Sequence, residues 1–294
     1  MTWYESEDQL PDFLDYDIIK GGRTYMYFDG KPLYPFGHGL SYTSFEYSDF
    51  NLESNEVLSG GFIRASLKVT NTGSLAGDEV VQLYVRGESS RVKVPHKQLQ
   101  GFKRVTLAPG ESRTVRFELP VSELAVWDVT RDRFCVQSGT YELMVGASSA
   151  DIRLASVIRV DGETIPNRDL TRTTFAENYD DYDGIELDEC LEGRTAVRTV
   201  QGEQGWIAFH DAEFNQEAHR VKLRVSGGTQ GGRIAFRIGS SEGKAAASLK
   251  VEARGSQHFE TASTPIRIAP GVHSIYLCLE GTVRISWLSF GAEH

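Results

Sequence analysis

Between Tyr47 and about Val160, apolar residues recur at every second position in short runs separated by turn formers. Ile63, Ala65, Leu67 and Val69 point one way and Phe62, Arg64, Ser66 and Lys68 the other, until Asn71-Thr72-Gly73 ends the run. A period of two marks a strand with one buried face, because successive side chains leave a pleated backbone on opposite sides. The alternation returns at Val81, Leu83 and Val85, at Val115, Phe117 and Leu119, and at Tyr141, Leu143 and Val145, with Ala108-Pro109-Gly110-Glu111 as a turn. Short half-buried strands at this spacing predict a two-sheet sandwich. Residues 161–174 are polar, contain one proline and lack an apolar period, so they read as a linker. From 175 to 294 a second β pattern takes over, through Ala176-Glu177-Asn178-Tyr179, Gly205-Trp206-Ile207-Ala208-Phe209, Ala235-Phe236-Arg237-Ile238, Gly271 to Leu277 and Ile285 to Phe290.

The first 46 residues follow neither period and form an irregular aromatic-rich tail. An acidic loop from Glu5 to Asp17 leads to Gly22-Arg23-Thr24-Tyr25-Met26-Tyr27-Phe28 and then to Tyr34-Pro35-Phe36-Gly37-His38-Gly39-Leu40-Ser41-Tyr42-Thr43. Two glycines flanking His38 make positive φ accessible, while Tyr34, Phe36, Leu40 and Tyr42 offer a large apolar area. Such a segment is built as a packed junction.

A chain of 294 residues with 40% hydrophobic content can bury two separate cores. Its formal charge of −10 argues against nucleic acid or an anionic membrane as partner, because both require a basic face, and fits a neutral partner. Cys135, Cys190 and Cys278 are odd in number and widely spaced, which favours three buried thiols over a disulfide framework or a zinc site. No apolar run is long enough to cross a membrane, and Met1-Thr2-Trp3-Tyr4-Glu5 does not open a signal peptide, leaving both a cytoplasmic and a secreted location open. No two of the histidines (38, 96, 210, 219, 258, 273, 294) sit at metal spacing on a helix, and no nucleophile elbow, P-loop or dinucleotide fingerprint occurs.

The tail, from Thr2-Trp3-Tyr4 and Leu10-Pro11 to Phe45-Glu46-Tyr47, resembles the C-terminal seam of family 3 glycoside hydrolases, with His38 where the family often has an aromatic. The runs Val69-Thr70-Asn71-Thr72-Gly73, Gly77 to Val85 and Leu99-Gln100-Gly101-Phe102 are similar to the fibronectin type III-like domain linked to those enzymes, and 175–294 resembles family 6 carbohydrate-binding modules. The resemblance implies an all-β chain: residues 1–46 as the C-terminal tail of the glycosidase α/β sandwich, 47–160 as a fibronectin type III-like (Ig-like) sandwich, 161–174 as the linker and 175–294 as a β jelly roll. It also implies that the nucleophilic aspartate and the acid/base glutamate lie in domains upstream of this sequence. Without that sandwich over them, the tail aromatics are expected to associate or disorder. Ser48-Asp49-Phe50 and Trp127-Asp128 superficially look like a nucleophile sequence but fall at strand starts.

Sugars are apolar on their faces and polar at their rims, so proteins stack them on aromatics and fix the hydroxyls with amides or carboxylates. Family 6 modules place two aromatics and an asparagine in a loop-end cleft. Here the first aromatic position reads Arg198-Thr199-Val200-Gln201, the second falls in a deletion between Ser256 and Gln257, and the asparagine is matched best by Arg284. The usual cleft is therefore expected to be inactive. A second surface used by some of these modules involves the tryptophan that Trp206 matches; alternation puts Trp206 and Ala208 on one face and Ile207 and Phe209 on the other. Trp206 then either covers the sheet, the plainer reading, or stacks a sugar, with Glu189 and Glu192 as candidate hydrogen-bonding partners or merely a solvated loop. The resemblance also implies a structural calcium: Glu177 matches one ligand, but Ser286 stands where an aspartate belongs, and a hydroxyl is a poor replacement, so calcium is allowed for and not predicted.

Three functions follow. The leading one is a non-catalytic accessory region of a β-glucosidase- or β-xylosidase-like enzyme, with a degenerate module for a neutral polysaccharide or oligosaccharide and no activity expected of the chain alone. The second is part of an active glycosidase whose barrel and sandwich come from another chain. The third is a structural or oligomerisation module without glycan binding.

Overall fold

A computed structural model describes residues 3–11, 13, 16–88, 93–200, 203–255 and 257–291. The chain divides into two compact units, Met1–Ile165 and Pro166–His294. Both are β sandwiches.

In the first unit, the tail contributes β1 (Trp3–Tyr4), helix α1 (Thr24–Tyr27) and β2 (Pro32–Tyr34). The sandwich comprises β3 (Phe45–Leu52), β4 (Glu56–Leu58), β5 (Phe62–Asn71), β6 (Gly77–Gly87), β7 (Gln98–Leu107), β8 (Ser112–Pro120), a short hairpin of β9 (Val126–Asp128) and β10 (Arg133–Cys135), then β11 (Gly139–Gly146) and β12 (Ile152–Asp161). One sheet runs β3-β5-β8 and the other β4-β12-β11-β6-β7. The residues assigned inward by alternation, among them Ile63, Leu67, Val69, Val81, Leu83, Val115 and Leu143, form the core between the sheets.

Strand β6 departs from simple alternation. Its outward residues Gln82 and Tyr84 are buried as well, because the tail covers that face. Tyr25 stacks on Phe36 at 4.1 Å and meets the Tyr84 ring edge-on at 6.1 Å. The Tyr25 hydroxyl accepts the Leu99 N–H, Ser149 N–H donates to the Phe36 carbonyl, and Gln82 Nε2 donates to the carbonyls of Gly37 and Ala147. The tail aromatics are thus divided: Tyr25 and Phe36 are anchored on β6, whereas Leu40 and Tyr42 are 92% and 97% exposed. The expectation of a uniformly bare cluster missed this anchoring, which arises because the sandwich itself supplies an aromatic floor in Tyr84.

The second unit holds β13 (Thr174–Phe175), a 3-10 turn at Ala176–Asn178, β14 (Asp181–Asp183), β15 (Ile185–Glu189), β16 (Thr195–Thr199), β17 (Gln204–Phe214), β18 (Ala218–Ser226), β19 (Gly232–Ile238), β20 (Ala245–Val251), β21 (Glu260–Ile268), β22 (Gly271–Gly281) and β23 (Arg284–Gly291). Its sheets run β14-β17-β22-β19-β20 and β15-β16-β23-β18-β21, with β13 also paired to β23. Phe209, Phe214, Phe236 and Phe290 sit in the core between them, with Phe214 and Phe290 edge-to-face at 5.5 Å. Cys135 and Cys190 are buried free thiols and Cys278 is a partly buried one.

The 161–174 stretch is paired rather than loose. Glu163 N–H donates to the Val136 carbonyl, Leu170 is fully buried, and the Leu170 carbonyl accepts Phe290 N–H. Arg168, 2% exposed, reaches Asp180 at 2.6 Å and lies over the Phe209 ring. Its polar residues satisfy strand edges and a buried ion pair, uses that composition alone does not reveal.

Candidate glycan-binding surface

Strand β17 sorts its side chains as a pleat demands: Ile207 and Phe209 enter the core, while Trp206, Ala208 and His210 take the outer face of the sheet. Register sets Trp206 opposite Cys278 and Ala208 opposite Tyr276 on β22, and continues across to Ala235 and Arg237 on β19. The outer face therefore carries two cross-strand rows. One reads Asp183, Trp206, Cys278, Ala235, Ser248; the other reads Asp181, Ala208, Tyr276, Arg237, Ala245.

Three rings gather there. Trp206 and Tyr276 are 5.4 Å apart with planes tilted by 59°, and His210 lies 6.1 Å from Tyr276, nearly edge-on. The His210 ring is fixed by a 3.1 Å hydrogen bond between Nδ1 and Ser274 Oγ, and its backbone N–H donates to Asp180 Oδ2. Ala208, the small residue in their midst, has no exposed surface, whereas all three rings remain partly exposed. Trp206 thus covers the sheet and still presents surface to solvent. Beside it, burial pushes the Cys278 thiol up against the opposing pull of Arg237.

The sequence argument missed Tyr276 and His210. Alternation of Ser274, Tyr276 and Cys278 against Ile275, Leu277 and Leu279 was a signal that they share a face, but which strand lies beside β17 was not legible.

Glu189 and Glu192 are not brought to Trp206. They belong to β15 and the turn after it, in the opposite sheet, where Arg224 donates two hydrogen bonds to Glu192 and Gln257 Nε2 donates to the Glu189 carbonyl. The physical reason is Gly184. This residue alone separates β14 from β15, adopts φ 61°, and turns the chain from one sheet to the other; a Cβ there would lie 2.4 Å from the Gln204 carbonyl oxygen.

At the loop-end cleft, Arg198 in the first aromatic stretch and Arg284 at the asparagine position enter a charged network. Arg284 Nε donates to Asp188 at 2.7 Å, and Arg198 pairs with Glu186 at 2.8 Å and with Asp188 at 3.3 Å. Burial opposes ionisation of Asp188, but the Arg284 bond and the two positive charges outweigh it and hold the carboxyl below its usual range. Gln201 and Ser256 lie outside the described residues.

Glu177 faces a guanidinium: Arg194 Nη1 is 3.4 Å from its carboxylate and stacks over the Phe175 ring at 4.1 Å. Ser286 is buried on β23, beside the Trp287 that pairs with Phe175. Among the described residues no group of three or more His, Cys, Asp or Glu could hold a metal ion. One carboxylate and one neutral hydroxyl do not fit calcium, which takes six to eight oxygen ligands.

The first unit has a hollow of about 640 Å³ between the seam and the sandwich, lined in part by Asp78, Glu79, Asp151 and Arg153. Its carboxylates are engaged structurally. Tyr47 donates to Glu79 at 2.9 Å, and Arg153 donates to Glu79, Asp151 and the Phe45 carbonyl, clamping β3 of one sheet to β6 and β12 of the other. Burial pushes Glu79 up, against the pull of Tyr47 and Arg153; Asp78 is held low by Thr106 and Arg104.

Comparison with known proteins agrees with this arrangement. Residues 79–149 match the fibronectin type III-like domain family, and residues 175–292 match carbohydrate binding module family 6. Thermostable β-glucosidase B of Acetivibrio thermocellus is 45% identical over 157 residues, covering 52% of this chain and 21% of its own length. A β-xylosidase of Formosa agariphila is 44% identical over 141 residues, covering 48% of this chain and 19% of its own. One half of the chain is thus similar to the C-terminal region of family 3 glycoside hydrolases, and residues 175–292 match a family 6 module. A crystal structure of a family 3 β-glucosidase from Bifidobacterium adolescentis is 34% identical, with a TM-score of 0.44 over 47% of this chain and 20% of that one. The matched half of this chain spans only about a fifth of the length of these curated relatives.

Proposed function

We propose that this chain is a non-catalytic accessory region of a β-glucosidase- or β-xylosidase-type enzyme and that its module holds a neutral glycan on the outer face of the β14-β17-β22-β19-β20 sheet. The observation that carries the reading is the Trp206–Tyr276–His210 group, aromatic surface left partly open on an otherwise packed sheet. An indole beside a phenol can take the apolar face of a sugar, and Asp183, directly opposite Trp206 on β14, can bond its hydroxyls. The charged network at Arg198, Asp188 and Arg284 supports assigning the site to this face rather than to the loop ends. In this reading Trp206 touches the sugar, Glu189 and Glu192 lie outside the site, and the binding domain extends over 175–294.

The exposed part of the seam has a separate role. Leu33, Tyr34, Leu40 and Tyr42, exposed by 53%, 48%, 92% and 97%, form an apolar surface suited to docking on the glycosidase domains that account for the remaining length of the relatives.

Affinity electrophoresis in gels containing xylan, β-glucan or laminarin tests the binding half. Retardation is expected in at least one. Trp206→Ala removes an indole whose burial against a sugar contributes about 1.5–3 kcal/mol, so it should weaken binding about ten- to hundredfold. Unretarded wild type in all three gels ends the binding proposal. Turnover of nitrophenyl β-glucoside or β-xyloside by the pure chain would overturn the non-catalytic half.

A further inference from the structure

We infer that Arg194 does the work of a bound cation at the β13–β16–β23 corner of the module, so that the jelly roll is held together there without calcium. Three segments meet at this corner. The Ala176–Asn178 turn brings Glu177, Arg194 immediately precedes β16, and β23 carries Ser286 beside Trp287, the residue that pairs with Phe175. The Glu177 side chain is only 18% exposed, and a carboxylate so placed needs a positive partner. The guanidinium supplies it at 3.4 Å while stacking on Phe175 at 4.1 Å, so one side chain both neutralises the turn and covers the ring of β13.

The backbone is shaped to deliver that side chain. Arg194 adopts φ 59° directly after Gly193 at φ 96°, and a non-glycine residue in the left-handed region is strained unless its surroundings hold it there. The pair with Glu177 and the contact with Phe175 are such surroundings. A dication at the same place would face the fixed positive charge of Arg194 with Glu177 as the one carboxylate shown there. The two cations are alternatives, and the residues present favour the organic one.

Thermal unfolding of the full chain, followed in calcium, in magnesium at matched ionic strength and in EDTA, tests the inference. The transition of the second unit should fall at the same temperature in all three. Arg194→Ala should lower it by about 3–6 °C, and Arg194→Lys, which keeps the charge but loses the planar stack, should fall in between. A rise in the wild-type transition with calcium but not magnesium would overturn the inference, as would an Arg194→Ala protein as stable as wild type. If Arg194→Ala does not fold, the wild-type comparison and Arg194→Lys still decide.

Discussion

Gly37→Ala tests whether the seam is latched to the sandwich through Gln82. A Cβ at Gly37 would lie 2.0 Å from Gln82 Oε1 and under 3.0 Å from Cδ and Nε2. The obstruction is the end of a side chain and not backbone, so Gln82 moves; what matters is what it loses. Gln82 is 4% exposed and bridges the Gly37 and Ala147 carbonyls while its Oε1 accepts the Tyr84 hydroxyl. Each bond contributes about 0.5–1.5 kcal/mol, and a buried group left without its partner costs about 1–3 kcal/mol. Alanine at φ 79° adds roughly 1–2 kcal/mol of backbone strain. The sum, about 3–5 kcal/mol, falls on the attachment of the tail rather than on the sandwich, whose core lies on the far side of β6. Native-state hydrogen exchange reads it directly. The amides of His96, Leu99 and Ser149, which donate to Met26, to Tyr25 and to Phe36, should exchange at least a hundredfold faster, while those of β5 and β11 keep their protection. Unchanged protection at those three amides would refute the latch; uniform loss across β5 and β11 would refute its independence from the core.

The Asp188 network offers two further tests. Asp188→Asn removes the charge that holds Arg198 and Arg284 together and should destabilise the second unit by about 1–3 kcal/mol, measured as a lower urea midpoint. Because the folded state holds the Asp188 and Asp128 carboxyls below their usual range, their stabilisation is fully present above the unfolded value of about 3.9 and is lost as pH falls through the folded values. Stability measured from pH 6 downward should therefore hold until about pH 4 and then decline, and Asp188→Asn should flatten that decline for the second unit; an identical slope in the variant would remove Asp188 from the account.

What sequence could reveal was local. Ile63, Ala65, Leu67 and Val69 went inward and Ile207 and Phe209 joined the core as their alternation requires, since a pleat fixes the relation between neighbouring side chains whatever the strand packs against. Alternation failed to anticipate β6, where Gln82 and Tyr84 are buried on the second face by a segment more than forty residues earlier. It failed again for Glu189 and Glu192, which lie close to Trp206 in sequence but on the other sheet, because a single glycine at 184 moves the chain across the sandwich. The same limit explains the candidate site. Trp206 could be chosen from its own strand, but Tyr276 became its companion only when β22 took its place beside β17 with Ala208 opposite Tyr276. Had β17 paired one residue out of step, Tyr276 would lie opposite Ile207 or Phe209 and turn toward the core; two residues out of step, it would face Trp206 or His210 directly and Ala208 would no longer sit beneath the rings. The aromatic surface is thus a product of register, and a substitution that shifts the pairing at Ala208 should disturb it as much as loss of the tryptophan itself.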